Sequence, residues 1–140
     1  MMKSKKWMTL IGLILILIYL SVNIWMLSSV KATLRTIYLH PEKDNQIVHK
    51  QVTESALNKF HRNEIYRSSS SSQEEIIVYS TNVGFGLHIF YSGTIWIKYT
   101  YKAIDKNTME VKYGSSRVPM QLKVKLKNGI WRITDKYEKP

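Results

Sequence analysis

Apolar residues run without a charge from Trp7 to Val30, and then the pattern breaks. Trp7 to Leu27 alone exceeds the roughly 20 residues that a helix needs to cross a hydrocarbon core about 30 Å thick. The run is apolar all round, so a small soluble domain has no way to surround it. Trp7 and Trp25 stand near its ends, where indoles favour the membrane interface. After Lys31 a period of four takes over: Val48, Val52, Ala56 and Phe60 are each four apart, and Leu57 joins the same face. This spacing predicts an amphipathic helix from about Pro41 or Asn45 to about Arg62. Pro41 suits its first position, and Glu42 and Asp44 suit its first turn. Thr33 to Leu39 fits either a continuation of the apolar helix or a short strand. Five serines, Ser68 to Ser72, then read as a loop.

Beyond the serines the period becomes two. Ile76 to Tyr79, Leu87 to Tyr91, Ile95 to Ile104 and Met109 to Tyr113 read as strands, separated by Gly-, Asn- and Ser-rich breaks. Leu122, Val124 and Leu126 alternate with Lys123, Lys125 and Lys127 ahead of Asn128-Gly129, a favoured two-residue hairpin turn. The returning strand pairs Leu126 with Trp131, Lys125 with Arg132 and Val124 with Ile133, which gathers the large apolar residues on one face. Continued unchanged, that register sets Asp135 opposite Leu122 on the apolar face.

These elements predict an α+β fold: an N-terminal transmembrane helix, then one amphipathic helix packed on a curved antiparallel sheet of four to six strands. The chain divides into a short basic segment at 1–6, a membrane helix at 7–29 and a folded domain at 30–140. Helix, long antiparallel strands and the closing Gly129-Ile130-Trp131-Arg132-Ile133 resemble the NTF2-like and cystatin-like small α+β domains over about Pro41 to Tyr137. The resemblance implies a fold and carries no catalytic residue across.

Charge gives an orientation. Lys3, Lys5 and Lys6 precede the apolar run and outnumber Lys31 and Arg35 after it, which favours an N-terminus in the cytoplasm and a domain outside the cell membrane. The rival is a signal peptide cleaved after Ala32, which would release a secreted protein. Its weakness is an apolar stretch longer than the usual h-region.

Candidate chemistry is sparse. With no Cys, the sequence excludes disulfides, thiolate metal sites and thiol catalysis. His40, His49, His61 and His88 are scattered, and no pair closes a metal site. Gly84-Phe85-Gly86 lacks the following helix of a nucleotide loop and reads as a turn or bulge. No cofactor is expected. Ile76 to Pro140 holds 11 basic and 4 acidic residues, so the cationic character sits in the strands. Lys98 and Lys102 project from one strand, and Lys123, Lys125, Lys127 and Arg132 from the last hairpin. On one sheet face these six form a band that attracts anionic lipid, an envelope polymer or another membrane protein. An extracellular position weighs against nucleic acid. The expectation is therefore a membrane-anchored binding module and not an enzyme. The enzyme alternative is a cavity between helix and sheet that uses Asp135 or His88, with His88 otherwise facing outward.

Overall fold

A computed structural model describes residues 2–39, 46–61 and 75–138. The element order is α1 (Met2–Leu39), α2 (Gln46–Gln51), α3 (Glu54–His61), β1 (Glu75–Ile89), β2 (Ser92–Asp105), β3 (Val111–Lys127) and β4 (Ile130–Glu138). The four strands form one antiparallel meander in the order β1-β2-β3-β4. The fold is thus α+β as expected. The expected helix start near Pro41, its first-turn acids and the serine loop lie outside the described residues.

The apolar helix does not stop at the end of a membrane span. It runs on through Thr33 to Leu39, and its second half covers the inner face of the sheet. Met26, Val30, Leu34 and Tyr38, each four apart, are buried against Ile95, Ile97, Tyr99, Leu122 and Trp131. This is one stripe of a helix, and its first half, Trp7 to Ile18, carries large apolar side chains exposed on every side. Tyr38 stacks on Tyr79 and Tyr99, with ring centroids 4.9 and 5.2 Å apart. At the other end Trp25 meets Trp131 edge-on at 6.0 Å. Two glycines let the helix approach. A Cβ on Gly86 would lie 2.9 Å from Leu27 Cδ2, and one on Gly93 would lie 2.8 Å from Met26 Sδ.

The period-four stripe of Val48, Val52, Ala56 and Phe60 is buried as expected, yet it spans two short helices and the break between them, where Val52 bridges to Ile133. The break is at Val52-Thr53. The Thr53 N–H leaves the helical ladder and donates to the Ile133 carbonyl at 2.9 Å, and its hydroxyl donates to the Thr134 carbonyl at 3.2 Å. Thr53 then starts α3, its carbonyl accepting from the Leu57 N–H at 2.8 Å. α2 is tied to α1 through Thr33, whose hydroxyl lies 3.0 Å from Gln51 Oε1.

The strands are fewer and longer than the breaks in the sequence suggest, because two of those breaks are bulges. Residues 76–79 and 87–91 were expected as separate strands, and β1 joins them through an irregularity between Val83 and Phe85. β3 likewise passes through Gly114 and Pro119, with Ser116 and Arg117 bulged opposite Thr100. The last hairpin keeps the expected register: Lys127 with Ile130, Leu126 with Trp131, Lys125 with Arg132 and Val124 with Ile133. Asn128 and Gly129 both have positive φ, 52° and 73°, as that turn requires.

Candidate functional site

The inner face of the sheet is filled by helices, so its outer face is the surface left for recognition. Strict alternation along β2 and β3 sets buried Ile95, Ile97 and Tyr99 against outward Trp96 and Lys98, and buried Leu122 and Val124 against Lys123, Lys125 and Lys127. Lys102 and Arg132 also fall on the outer side and are half-buried. All six expected cations therefore share a face, but they do not form one band. Lys123 pairs with Thr94 and Lys125 with Ser92, whereas Lys98 pairs with Pro119 and Lys102 with Gly114. Four residues of strand, about 13 Å, separate Lys98 from the level of Lys123. Arg132 is also drawn aside: its Nη2 donates to the His49 carbonyl of α2 at 3.3 Å. Lys98, Lys102, Lys123, Lys125 and Lys127 form no ion pair with any described residue.

Between the two groups of cations lies an aromatic row. Phe85 pairs with Trp96, Trp96 with Gln121, and Gln121 with Tyr137, so the row crosses all four strands. The Phe85 and Trp96 rings stack at 5.7 Å. They line an open depression of about 500 Å³ whose rim includes Asn82, Lys98 and Pro119. Large exposed aromatics beside an unpaired cation are what a recognition surface needs: apolar area to bury, and a charge to orient the partner. The sequence pattern missed this row, because two bulges create it. The one at Gly84 brings Phe85 to the outer face. The one in β4 brings Tyr137 there.

The same bulges move both residues of the enzyme alternative from their expected places. His88 was expected to face outward; past the Gly84 bulge the strand's parity reverses, and His88 turns inward and is only 6% exposed. Its ring stacks on Tyr19 at 4.2 Å, and its Nε2 sits 3.1 Å from the Tyr19 carbonyl oxygen. Asp135 was expected opposite Leu122 on the apolar face. A register shift between Lys123 and Val124 sets it opposite Lys123 instead, and Lys136 takes the place opposite Leu122. The Lys59 ammonium donates to the Asp135 carboxylate and, with the Lys136 N–H, holds its pKa below the ordinary range. A raised value, which a pocket base would have, does not occur.

Lys136 is buried on the inner face, where the sequence pattern gave no sign of a cation. Its Nζ pairs with Glu138 Oε1 at 2.8 Å and stands 4.6 Å over the Phe60 ring. The Tyr99 hydroxyl donates to the same Glu138 oxygen at 2.9 Å. Burial, and then the neighbouring Glu138 charge, push the Tyr99 phenol well above its usual pKa. These contacts pair Lys136, Glu138 and Tyr99 with one another beside the core.

The remaining carboxylates serve the far end of the sheet. Asp105 accepts from the Asn107 N–H at 2.7 Å and closes the β2–β3 turn, while Lys112 bridges Asp105 and Glu75 at 3.1 and 3.4 Å. These bonds lower the Asp105 pKa, the Asn107 N–H most of all. No three His, Asp or Glu among the described residues gather as metal ligands do. No family model, no curated protein and no solved structure matches this chain. An apolar helix long enough to cross a membrane, Lys5–Leu39, is the coarse feature that bears on location.

Proposed function

We propose that α1 is an uncleaved signal anchor and that the protein is a single-pass membrane protein. Its N-terminus lies in the cytoplasm, and its α+β domain stands outside and works by binding. Two observations support retention of the helix. The large apolar side chains of Trp7 to Ile18 are exposed on all sides of the helix, which suits lipid. Met26 and Val30, which a cut after Ala32 would remove, are buried in the domain core.

The observation that carries the binding reading is the outer face: Phe85, Trp96 and Tyr137 in a row, with Lys98 unpaired beside them. The partner this surface fits is another protein of the same membrane, one that presents apolar side chains next to a carboxylate. An exposed aromatic and a rim charge together supply more than about 1.4 kcal/mol, a tenfold change in affinity. Size separation of cross-linked membranes should therefore show the tagged chain in a larger species. The Trp96→Ala, Lys98→Glu double variant should weaken that species about tenfold. Thermal unfolding should be unchanged, because both side chains are on the outer surface. A folded double variant that retains the species undiminished would contradict this function. Loss of the species to an added anionic polymer, with no protein cross-linked, would replace the protein partner by an envelope polymer.

A further inference from the structure

The helix α1 is free of the sheet only over its first half. Tyr19 already stacks on His88, and one turn later Asn23 Nδ2 donates to the Gly86 carbonyl at 2.7 Å. Trp7 to Ile18 rises about 18 Å, while a hydrocarbon core is about 30 Å thick. A span that begins at the Trp7 indole leaves the hydrocarbon near Leu27, about two turns past Tyr19. Counting from Met2 adds about 8 Å and still falls short. Tilting the helix lengthens the path it must cross. The hairpin beside Tyr19 and Asn23 cannot stand clear of such a bilayer.

The residues at that hairpin suit immersion. Leu87, Ile89, Phe90 and Tyr91 are 49%, 68%, 56% and 67% exposed, next to an inward His88. The strand end is inside out by the standard of a soluble sheet, with its apolar positions outward and its imidazole in the core. The last hairpin ends at the same level. Ser92 pairs with Lys125, and the Leu126 N–H donates to the Tyr91 carbonyl at 2.7 Å. Lys125 and Lys127 therefore flank the apolar tip, and Ile130 is exposed beside them. A recess of about 480 Å³ runs between Leu87, Ile89, Thr94, Lys123 and Lys125. Glu75, Asp105 and Glu110 sit at the opposite end of the sheet.

We infer that this end of the sheet is a second membrane contact. The β1–β2 tip, Leu87 to Tyr91, enters the interfacial layer of the leaflet from which α1 emerges, and Lys123, Lys125 and Lys127 bind the anionic headgroups around it. The inference rests on the reading of α1 as a span. Apolar side chains flanked by lysines are the composition that holds interfacial elements at a charged bilayer. The contact fixes the domain's height and orientation, so the aromatic row faces sideways along the membrane. The cations that the sequence placed in one band thus divide their work: Lys98 beside the aromatic row, and the Lys123 group on lipid.

The absence of Cys makes single labelling sites clean. Spin labels are placed by Ile14→Cys, Phe90→Cys and Met109→Cys, each in the full chain. The chains are reconstituted one per nanodisc of phosphatidylcholine with phosphatidylglycerol. Accessibility to oxygen and to a water-soluble nickel chelate is read for each. The expected result is lipid-like behaviour at positions 14 and 90 and water-like behaviour at 109, which sits at the far turn. Lys125→Glu with Lys127→Glu should raise nickel accessibility at position 90 severalfold. A label at 90 that behaves like the one at 109, while 14 remains in lipid, overturns the contact and leaves the anchor standing. A water-exposed label at 14 overturns the anchor reading and the contact with it. Spin–spin broadening at 90 in nanodiscs holding two chains, with exposure to nickel in those holding one, would assign the tip to a second copy and overturn the lipid assignment.

Discussion

A chain that begins at Thr33 should not hold this fold. The cut removes Met26 and Val30, both fully buried, and the partly buried Val22 and Leu27 that pack around them. Burial of a Met or Val side chain is worth about 2 kcal/mol, and an unfilled cavity adds to the loss. Two such residues approach the whole stability of a small domain, which is about 5–15 kcal/mol. The loss does not end with them. Thr33 to Leu39 would remain as two turns of helix with nothing before them, too short to persist without support. Leu34 and Tyr38 would then lose their footing, and His88 its stack on Tyr19. Segment 33–140 and the full chain in detergent are compared by thermal unfolding and hydrogen exchange. The full chain should show one cooperative transition with protected β2 and β3 amides, and the segment should show neither. An equal transition in both would mean that the helix is dispensable to the domain.

Gly93→Val should be the most damaging single substitution at the junction of helix and sheet. A Cβ there would lie 2.7 Å from the Leu87 carbonyl oxygen, 2.8 Å from Met26 Sδ and 3.1 Å from His88 Cβ. The carbonyl is backbone and cannot swing away. The methionine is already fully buried. The strand pair must open or α1 must lift, and overpacking of this kind costs about 3 kcal/mol. Gly12→Val is the matched control, because nothing stands within 4 Å of a Cβ at Gly12. Urea titration in detergent should show a midpoint well below that of the parent for Gly93→Val and little change for Gly12→Val. Equal midpoints would mean that α1 does not press on the sheet at Met26.

What the sequence revealed was local. Asn128-Gly129 carries its own backbone requirement, so the turn and the four residue pairs nearest to it were legible. The stripe of Val48, Val52, Ala56 and Phe60 was legible as a period, since burial alone selects it. Its division at Thr53 was not, because the acceptors that break the helix are carbonyls of Ile133 and Thr134, some 80 residues away. Each bulge shifts the alternation by one residue, and no apolar pattern announces it. That single effect misplaced His88, Asp135 and Lys136, and it hid Phe85 and Tyr137, which extend the outward Trp96 into a row. The outward lysines followed from alternation within a strand. Their separation along the sheet depended on the pairing of β2 with β3, which alternation does not encode. The second role of α1 was concealed by its composition, because a helix apolar all round shows no preferred face. Gly86 and Gly93 carried the complementary signal, on the sheet.

On the proposed function, one unbroken helix anchors the protein with its domain outside the membrane and completes the core of that domain. The most direct measurement is the mass of a C-terminally tagged chain in the membrane and medium fractions of intact cells, before and after external protease. The expected result is the full-length mass in the membrane fraction, with the tag lost to protease. A chain beginning at Thr33 in the medium, or a membrane-bound domain that external protease cannot reach, would contradict it.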